Sequence, residues 1–450
     1  MEMINGRPWW TAAFDEHGTL SGQSPASLVA EIAASDVTNL FVVSHGWNNQ
    51  VADARSLYQQ FFPIIQAQAS AAPSLAGIGF VGVFWPAIDF PDDPGTPVGP
   101  IGIGAQGADN VAPTPVNVTT QKSGAEITAT MAPAFSPAEQ EVLTKMGELI
   151  DQGLQQAAAG TPDAVQRDQV TQFHALLQGL MGQSDGALED VGELALADSS
   201  QPVDDYQTLA TVMSTGMAAG DAQGLGSIFA KAWNGAKDAL RVFGFWKMKA
   251  RAGEIGRAGL GPILEQLHAA KPEVRVHLIG HSFGGRLVAN SLTTISSPAA
   301  SPVASLTLVQ GAFSHWAFSP ANPFGIQGSL EQFADRVHGP LVATFTAADW
   351  AVGRWYPKAC FLAGDDAQDA VAVSRWGAMG ADGFQASTPF ADITVVTGHP
   401  AYPFQAGAFH RADANAIISD TSQSAFAGAH SDFVKDEIGW LIAQAAQPIP

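Results

Sequence analysis

The chain has 450 residues, more than one small core needs, which points to a large domain carrying an insertion or to two domains. Its 42 acidic and 21 basic residues give a formal charge of −21, which argues against nucleic acid and anionic membrane surfaces as partners, since both need basic patches, and leaves neutral small molecules open. A single cysteine, Cys360, excludes an intramolecular disulfide and a cysteine-rich metal site, and in its Lys-Ala-Cys-Phe-Leu setting it reads as a small packed apolar residue.

The opening residues MEMINGRPWW contain no apolar leader, and no run of about 18 apolar residues occurs in the chain, so a cytoplasmic protein without integral membrane association is expected. Residues 9–14 read as a strand and 25–35 as a helix. Residues 39–44 form an apolar strand ending in His45-Gly46-Trp47-Asn48-Asn49, and a helix is expected over 51–70, with Asn48 and Asn49 placed to cap it. Residues 79–86 are another buried strand with an aromatic end. Strands alternating with helices predict an α/β protein with a mostly parallel sheet and helices on both faces.

That alternation then stops. Residues 91–133, rich in Pro, Gly, Thr and Asn, lack a sustained period and read as an extended excursion. Ser136-Pro137-Ala138-Glu139 is a capping box with proline at the first helical position, predicting a helix to Ala158. Another helix follows Thr161-Pro162, with Val170, Phe173, Leu177 and Leu180 on one face, and further helices are expected over 203–218 and 225–242. Residues 91–240 are thus expected to form a mainly helical cap or lid inserted into a domain made of 1–90 and 241–450. Within it Met181, Met213, Met217 and Phe229 either line an apolar pocket or pack the helices together.

After a helix over 260–270, residues 274–290 read VRVHLIGHSFGGRLVAN: an apolar strand, Gly280-His281-Ser282-Phe283-Gly284, and a helix start. A G-x-S-x-G between strand and helix is the setting of a serine nucleophile. Side chains two positions either side of the serine would collide with the strand and helix, and the strained turn lifts the hydroxyl above the sheet. A second match, Gly182-Gln183-Ser184-Asp185-Gly186, follows helical spacing and reads as loop. A strand over 305–310 leads into a segment without an acid, whereas a strand over 341–346 leads to Asp349, read as the acid that orients a histidine or, alternatively, as a helix N-cap. An irregular stretch over 362–391 holds Trp376, Met379 and Phe384 as a second rim element. Three histidines compete as the base. His399 follows a strand-like segment over 392–396, His410 belongs in or near the last strand, and His430 stands in a loop before a final amphipathic helix over 433–446. His430 is preferred because that loop can reach back to the serine. The two N–H groups for a developing oxyanion are assigned to Phe283 and Trp47, with Gly46 letting the backbone turn and His45 bracing the loop.

The ordered set SHGWNN, FWP, GHSFGG, TAADWAV and GAHSDF resembles the α/β-hydrolase superfamily over about residues 10–90 and 240–450. The resemblance implies an α/β-hydrolase fold with a large helical cap, Ser282, Asp349 and His430 as a triad, and no metal or organic cofactor. The activity expected is a serine hydrolase cleaving carboxylic esters, esterase- or lipase-like, on a small ester or lipid-like molecule. The same triad also serves a peptidase, a thioesterase or an acyltransferase, and a scaffold that binds a partner through the cap is a further alternative.

Overall fold

The structure, a computed structural model, describes residues 1–47, 49–71, 74–87, 122–181, 199–214, 228–356, 375–424 and 427–449. Among these, β1 (Glu2–Ile4), β2 (Arg7–Ala13), β3 (Asn39–Ser44), β4 (Ile78–Phe84), β5 (Arg275–His281), β6 (Val303–Val309), β7 (Leu341–Phe345), β8 (Phe390–Thr394) and β9 (Phe409–Asp413) form one sheet. Its order is β1-β2-β4-β3-β5-β6-β7-β9-β8. Only the β1–β2 pair is antiparallel; all other neighbours run parallel. The short β1 edge strand was not anticipated, because three residues of mixed polarity carry no period.

Buried parallel strands should be apolar on both faces, and the central strands β3 and β4 largely are. Along β3, Leu40 and Val42 enter one core while Phe41 and Val43 enter the other. Helices α1 (Pro25–Ala33) and α2 (Val51–Ser70) lie on opposite faces: α1 belongs to the core of Leu40, and α2 to that of Phe41. The helices α3 (Gly124–Met131), α4 (Pro137–Ala158), α5 (Asp163–Met181), α6 (Pro202–Ser214), α7 (Ile228–Glu254), α8 (Gly261–Ala270) and α9 (Phe283–Asn290) follow. The last, α10 (Asp436–Ala446), packs beside α2.

Helices α3 to α7 pack on one another, and α7 also lies against α9, directly behind Ser282. Val170, Phe173, Leu177 and Leu180 of α5 are all buried, as their spacing predicts. The helix α3 falls inside the expected irregular excursion. Ser123 and Glu126 cap each other across its first turn (2.7 and 3.1 Å), a local signal present in the sequence but outweighed there by the surrounding Pro and Gly. Residues 91–121 of that excursion, Ser184, Met217 and Cys360 lie outside the described residues, and nothing is described of the Met213 side chain.

Two expected boundaries move. The domain boundary at 240/241 falls inside α7, which continues without a break to Glu254 and into a wider helical turn over Ile255–Leu260. The final helix starts at Asp436, three residues later than expected, with Lys435 extended before it; Phe433 packs against Phe61 and His281 from the preceding loop. No described helix is long and apolar enough to cross a membrane.

Candidate active site

The chain runs from β3 outward to β4, then returns to place β5 on the opposite side of β3. Such a reversal leaves a crevice at the carboxyl ends of the two central strands, where parallel sheets hold ligands. The loop after β3 and the turn after β5 meet there, since Ser44 pairs with Gly280 in register.

Ser282 occupies that turn with φ 56° and ψ −125°, a conformation that a non-glycine residue adopts only under constraint. The glycines around it explain how the turn closes. A Cβ on Gly280 would stand 2.3 Å from the Gly284 carbonyl oxygen, and one on Gly284 would stand 2.3 Å from the carbonyl oxygens of Ser44 and His45. The second clash is therefore with the neighbouring strand β3, whereas the sequence pattern alone pointed to the serine's own strand and helix. Gly46 is required for a related reason. Its φ is not in the left-handed region; instead, a Cβ there would lie 2.6 Å from Ser282 Cβ. Close approach, not turning freedom, selects glycine at 46.

The Phe283 N–H is the first of α9 and finds no protein acceptor among the described residues, as expected for a helix N-terminus. Trp47 lies across from it, ring centroids 5.8 Å apart. Its loop is tightly held. His45 Nδ1–H donates to Gly46 O (2.8 Å), its Nε2 accepts from Trp85 N–H (3.3 Å), and its ring stacks on Trp85. Those partners fix a single tautomer, and burial pushes the proton affinity of His45 down to about 4, so the ring stays neutral. Tyr58 bridges the same corner, accepting from His45 N–H and donating to Val83 O. Asn49 Nδ2 donates to Trp47 O (3.0 Å), so Asn49 holds this loop; α2 is capped instead by Gln50, whose N–H donates to Asp53 (3.1 Å). Asn48 is outside the described residues.

Asp349 follows β7 and is buried, with its side chain fully removed from solvent. Its Oδ2 accepts from His430 Nδ1–H at 2.7 Å, and its Oδ1 accepts from Val352 N–H at 3.1 Å. Both readings of this residue are thus realised, one oxygen each: an imidazole partner and a cap on the helical turn Ala351–Trp355. The two loops are pinned by a short antiparallel bridge between Asp349 and Gly428, with Trp350 N–H donating to Ala427 O and Ala429 N–H to Ala348 O. Beside this, His281 Nε2–H donates to His430 O (2.9 Å), and the His281 ring lies between those of His430 (4.7 Å) and Phe433 (4.2 Å). Burial, and next the neighbouring His430, keep His281 neutral. His430 is therefore seated on the residue that immediately precedes Ser282. No hydrogen bond joins Ser282 Oγ to the His430 ring among the described residues.

The other histidines are placed elsewhere. His399 is exposed and stacks on Trp440, and His410 is buried within β9, where its Nε2 accepts from Gln405 N–H. Neither touches Asp349. Of the apolar cap residues, Phe229 is buried among the helices and Met181 packs against the same core. Trp376, Met379 and Phe384 are likewise buried. The aromatic cluster next to the serine turn is built on Phe283, the residue after Ser282: Trp47 and Phe245 of α7 pack on its ring, and Tyr356 packs on Phe245, with Phe245 4.9 Å from Phe283 and 5.6 Å from Tyr356.

Two residues of the site escaped the sequence reading: His281, hidden inside the G-x-S-x-G pattern, and Gln310, at the end of β6 where only an acid was sought. Gln310 Nε2 donates to Asp349 Oδ2 at 2.9 Å. Among the described residues no group of three or more His, Cys, Asp or Glu side chains could hold a metal ion. Comparison of the chain with protein-family models, with curated proteins and with solved structures finds no match in any of the three.

Proposed function

We propose that the protein is a serine hydrolase of the α/β-hydrolase type, acting on carboxylic esters through an acyl-enzyme. One observation carries the reading: Asp349 and His430, 81 residues apart, form a 2.7 Å hydrogen bond on a loop that is anchored to the residue before Ser282. The order of Ser282, Asp349 and His430 after β5, β7 and β9 also fits that architecture.

In this scheme Ser282 Oγ attacks the ester carbonyl while His430 Nε2 takes its proton. Asp349 keeps the proton of the resting imidazole on Nδ1 and stabilises the imidazolium. The carbonyl oxygen gains its negative charge beside the Phe283 N–H at the start of α9 and the Trp47 backbone, each donor contributing about 3–4 kcal/mol in comparable sites. His430 returns the proton to the leaving alcohol. Water, deprotonated by the same imidazole, then cleaves the acyl-enzyme and frees Ser282. Helices α3 to α7 act as a cap, and the aromatic side chains of Trp47, Phe245, Phe283 and Tyr356 favour an uncharged, apolar acyl group in a small ester or lipid-like substrate.

Hydrolysis of p-nitrophenyl esters from acetyl to dodecanoyl by wild type and Ser282→Ala tests the proposal. Serine-dependent release of p-nitrophenol, strongest with apolar acyl groups, is expected. Equal release by both proteins would refute it, and turnover confined to amides or thioesters would move the assignment to a peptidase or thioesterase.

A further inference from the structure

We infer that Gln310 is a positioning residue, which holds the Asp349 carboxylate in the one orientation that His430 can use; the inference rests on the hydrolase reading above. Gln310 stands immediately after β6, completely buried, with φ 49°. Left-handed backbone is unfavourable for a long side chain, so its neighbours must impose the conformation. Burying an amide is also unfavourable unless its polar atoms are matched. Here they are matched in a way that permits a single orientation. The Nε2 group donates to Asp349 Oδ2 at 2.9 Å and to Gly380 O at 3.3 Å, and neither acceptor can donate in return. The Oε1 atom accepts from the Thr344 hydroxyl at 2.9 Å, and that hydroxyl in turn accepts the Gln310 backbone N–H at 3.1 Å. Flipping the amide would set oxygen against oxygen at Asp349 and at Gly380.

The consequence falls on the acid. Oδ2 receives two donors, Gln310 Nε2–H and His430 Nδ1–H, while Oδ1 receives Val352 N–H. Three donors from three segments fix the carboxylate plane, and through it the direction in which the imidazole presents Nε2. A residue that only filled space at this position would need no amide, and its loss would not be rescued by a different donor to the same oxygen.

The test is steady-state hydrolysis of p-nitrophenyl butyrate across pH by wild type, Ser282→Ala, Gln310→Met and Gln310→Glu, with thermal unfolding as a check on folding. Gln310→Met, of similar length but without donors, is expected to lower kcat by about 10- to 100-fold, with KM within about twofold of wild type. Gln310→Glu places a second carboxylate beside Asp349. Two buried carboxyls this close cannot both ionise, so the added group is held protonated and can itself donate to Asp349 Oδ2; kcat should recover towards the wild-type value at low pH and fall as the added group ionises at higher pH, a limb that Gln310→Met lacks. If Gln310→Met does not fold, Thr344→Val, which keeps the shape and removes the hydroxyl that orients the amide, carries the same expectation of lower kcat at constant KM. Wild-type kcat in folded Gln310→Met, or a folded Gln310→Glu no more active than Gln310→Met at any pH, would overturn the inference while leaving a serine-dependent enzyme in place. Absence of serine-dependent turnover would remove the hydrolase reading and the inference with it.

Discussion

Asp349 divides its two oxygens between a histidine and a helical turn, and this makes its replacement informative. Asp349→Asn keeps the size of the side chain but offers an amide in place of one oxygen, so the imidazole can settle in the wrong tautomer. A loss in kcat of about 10⁴-fold with a modest change in unfolding temperature is expected, measured by ester turnover and calorimetry. His430→Gln should cost at least as much, whereas His399→Gln, on an exposed ring stacked on Trp440, should leave turnover within about twofold. Near-normal activity in His430→Gln would exclude it as the base. His281→Phe preserves the ring contact with Phe433 but removes the donor to His430 O, and a drop in kcat of about tenfold is expected. At this scale, the serine turn was legible because its pattern is complete within five residues between a strand and a helix, although the contact that requires Gly284 is with Ser44 and His45 of the neighbouring strand. His281 and Gln310 were not, because their partners are 149 and 39 residues away and no short-range pattern marks them.

Strand and helix positions were legible where burial is periodic: α2 runs over Val51–Ser70 as its spacing predicts, and the strands that hold the site appear where apolar runs stand between turn residues. Less legible was where the inserted helices end. The loss of strand–helix alternation up to about residue 240 suggested a boundary, yet α7 is one 27-residue helix whose early part packs with α6 and whose later part brings Phe245 to Phe283 and Arg251 to Glu16, Pro86 O and Ala134 O. Excision of residues 91–240 would cut this helix and expose its buried face. The shortened chain is expected to show no cooperative unfolding transition; a folded and active product would mean that the insertion is a separate unit after all. The loop after β3 offers a smaller test. Gly46→Ala drives a methyl group against Ser282 Cβ and His281 Nδ1, and should lower kcat by about 10²-fold through displacement of the Trp47 N–H, in contrast to an exposed glycine such as Gly179 in α5, where alanine meets no atoms.

Taken whole, the molecule buries an apolar core on each face of its sheet and keeps several histidines inside as neutral rings. Burial lowers the proton affinity of His45, to about 4, and also that of His277 and His281. Unfolded, these rings titrate near 6.5, so below that pH the unfolded chain binds more protons and gains on the folded one. The stability they supply is complete above about pH 6.5 and falls as pH drops, His45 alone accounting for about 3 kcal/mol once pH 4 is reached. Unfolding temperature should therefore decline between pH 6.5 and 5, before the carboxylates begin to titrate, and scanning calorimetry across that window would detect it. The parallel α/β sheet was readable from alternation of strand and helix, but the meeting of β3, β5, β7 and β9 loops at one rim depends on strand order, which no local pattern specifies. Everything proposed for that rim turns on whether Ser282 is an activated nucleophile, and a fluorophosphonate probe addresses this without knowledge of the substrate. Intact-mass and peptide analysis should find one adduct, on Ser282, absent from Ser282→Ala and formed far more slowly in His430→Gln. No adduct on the wild-type protein, or an adduct that persists in Ser282→Ala, would contradict the assignment.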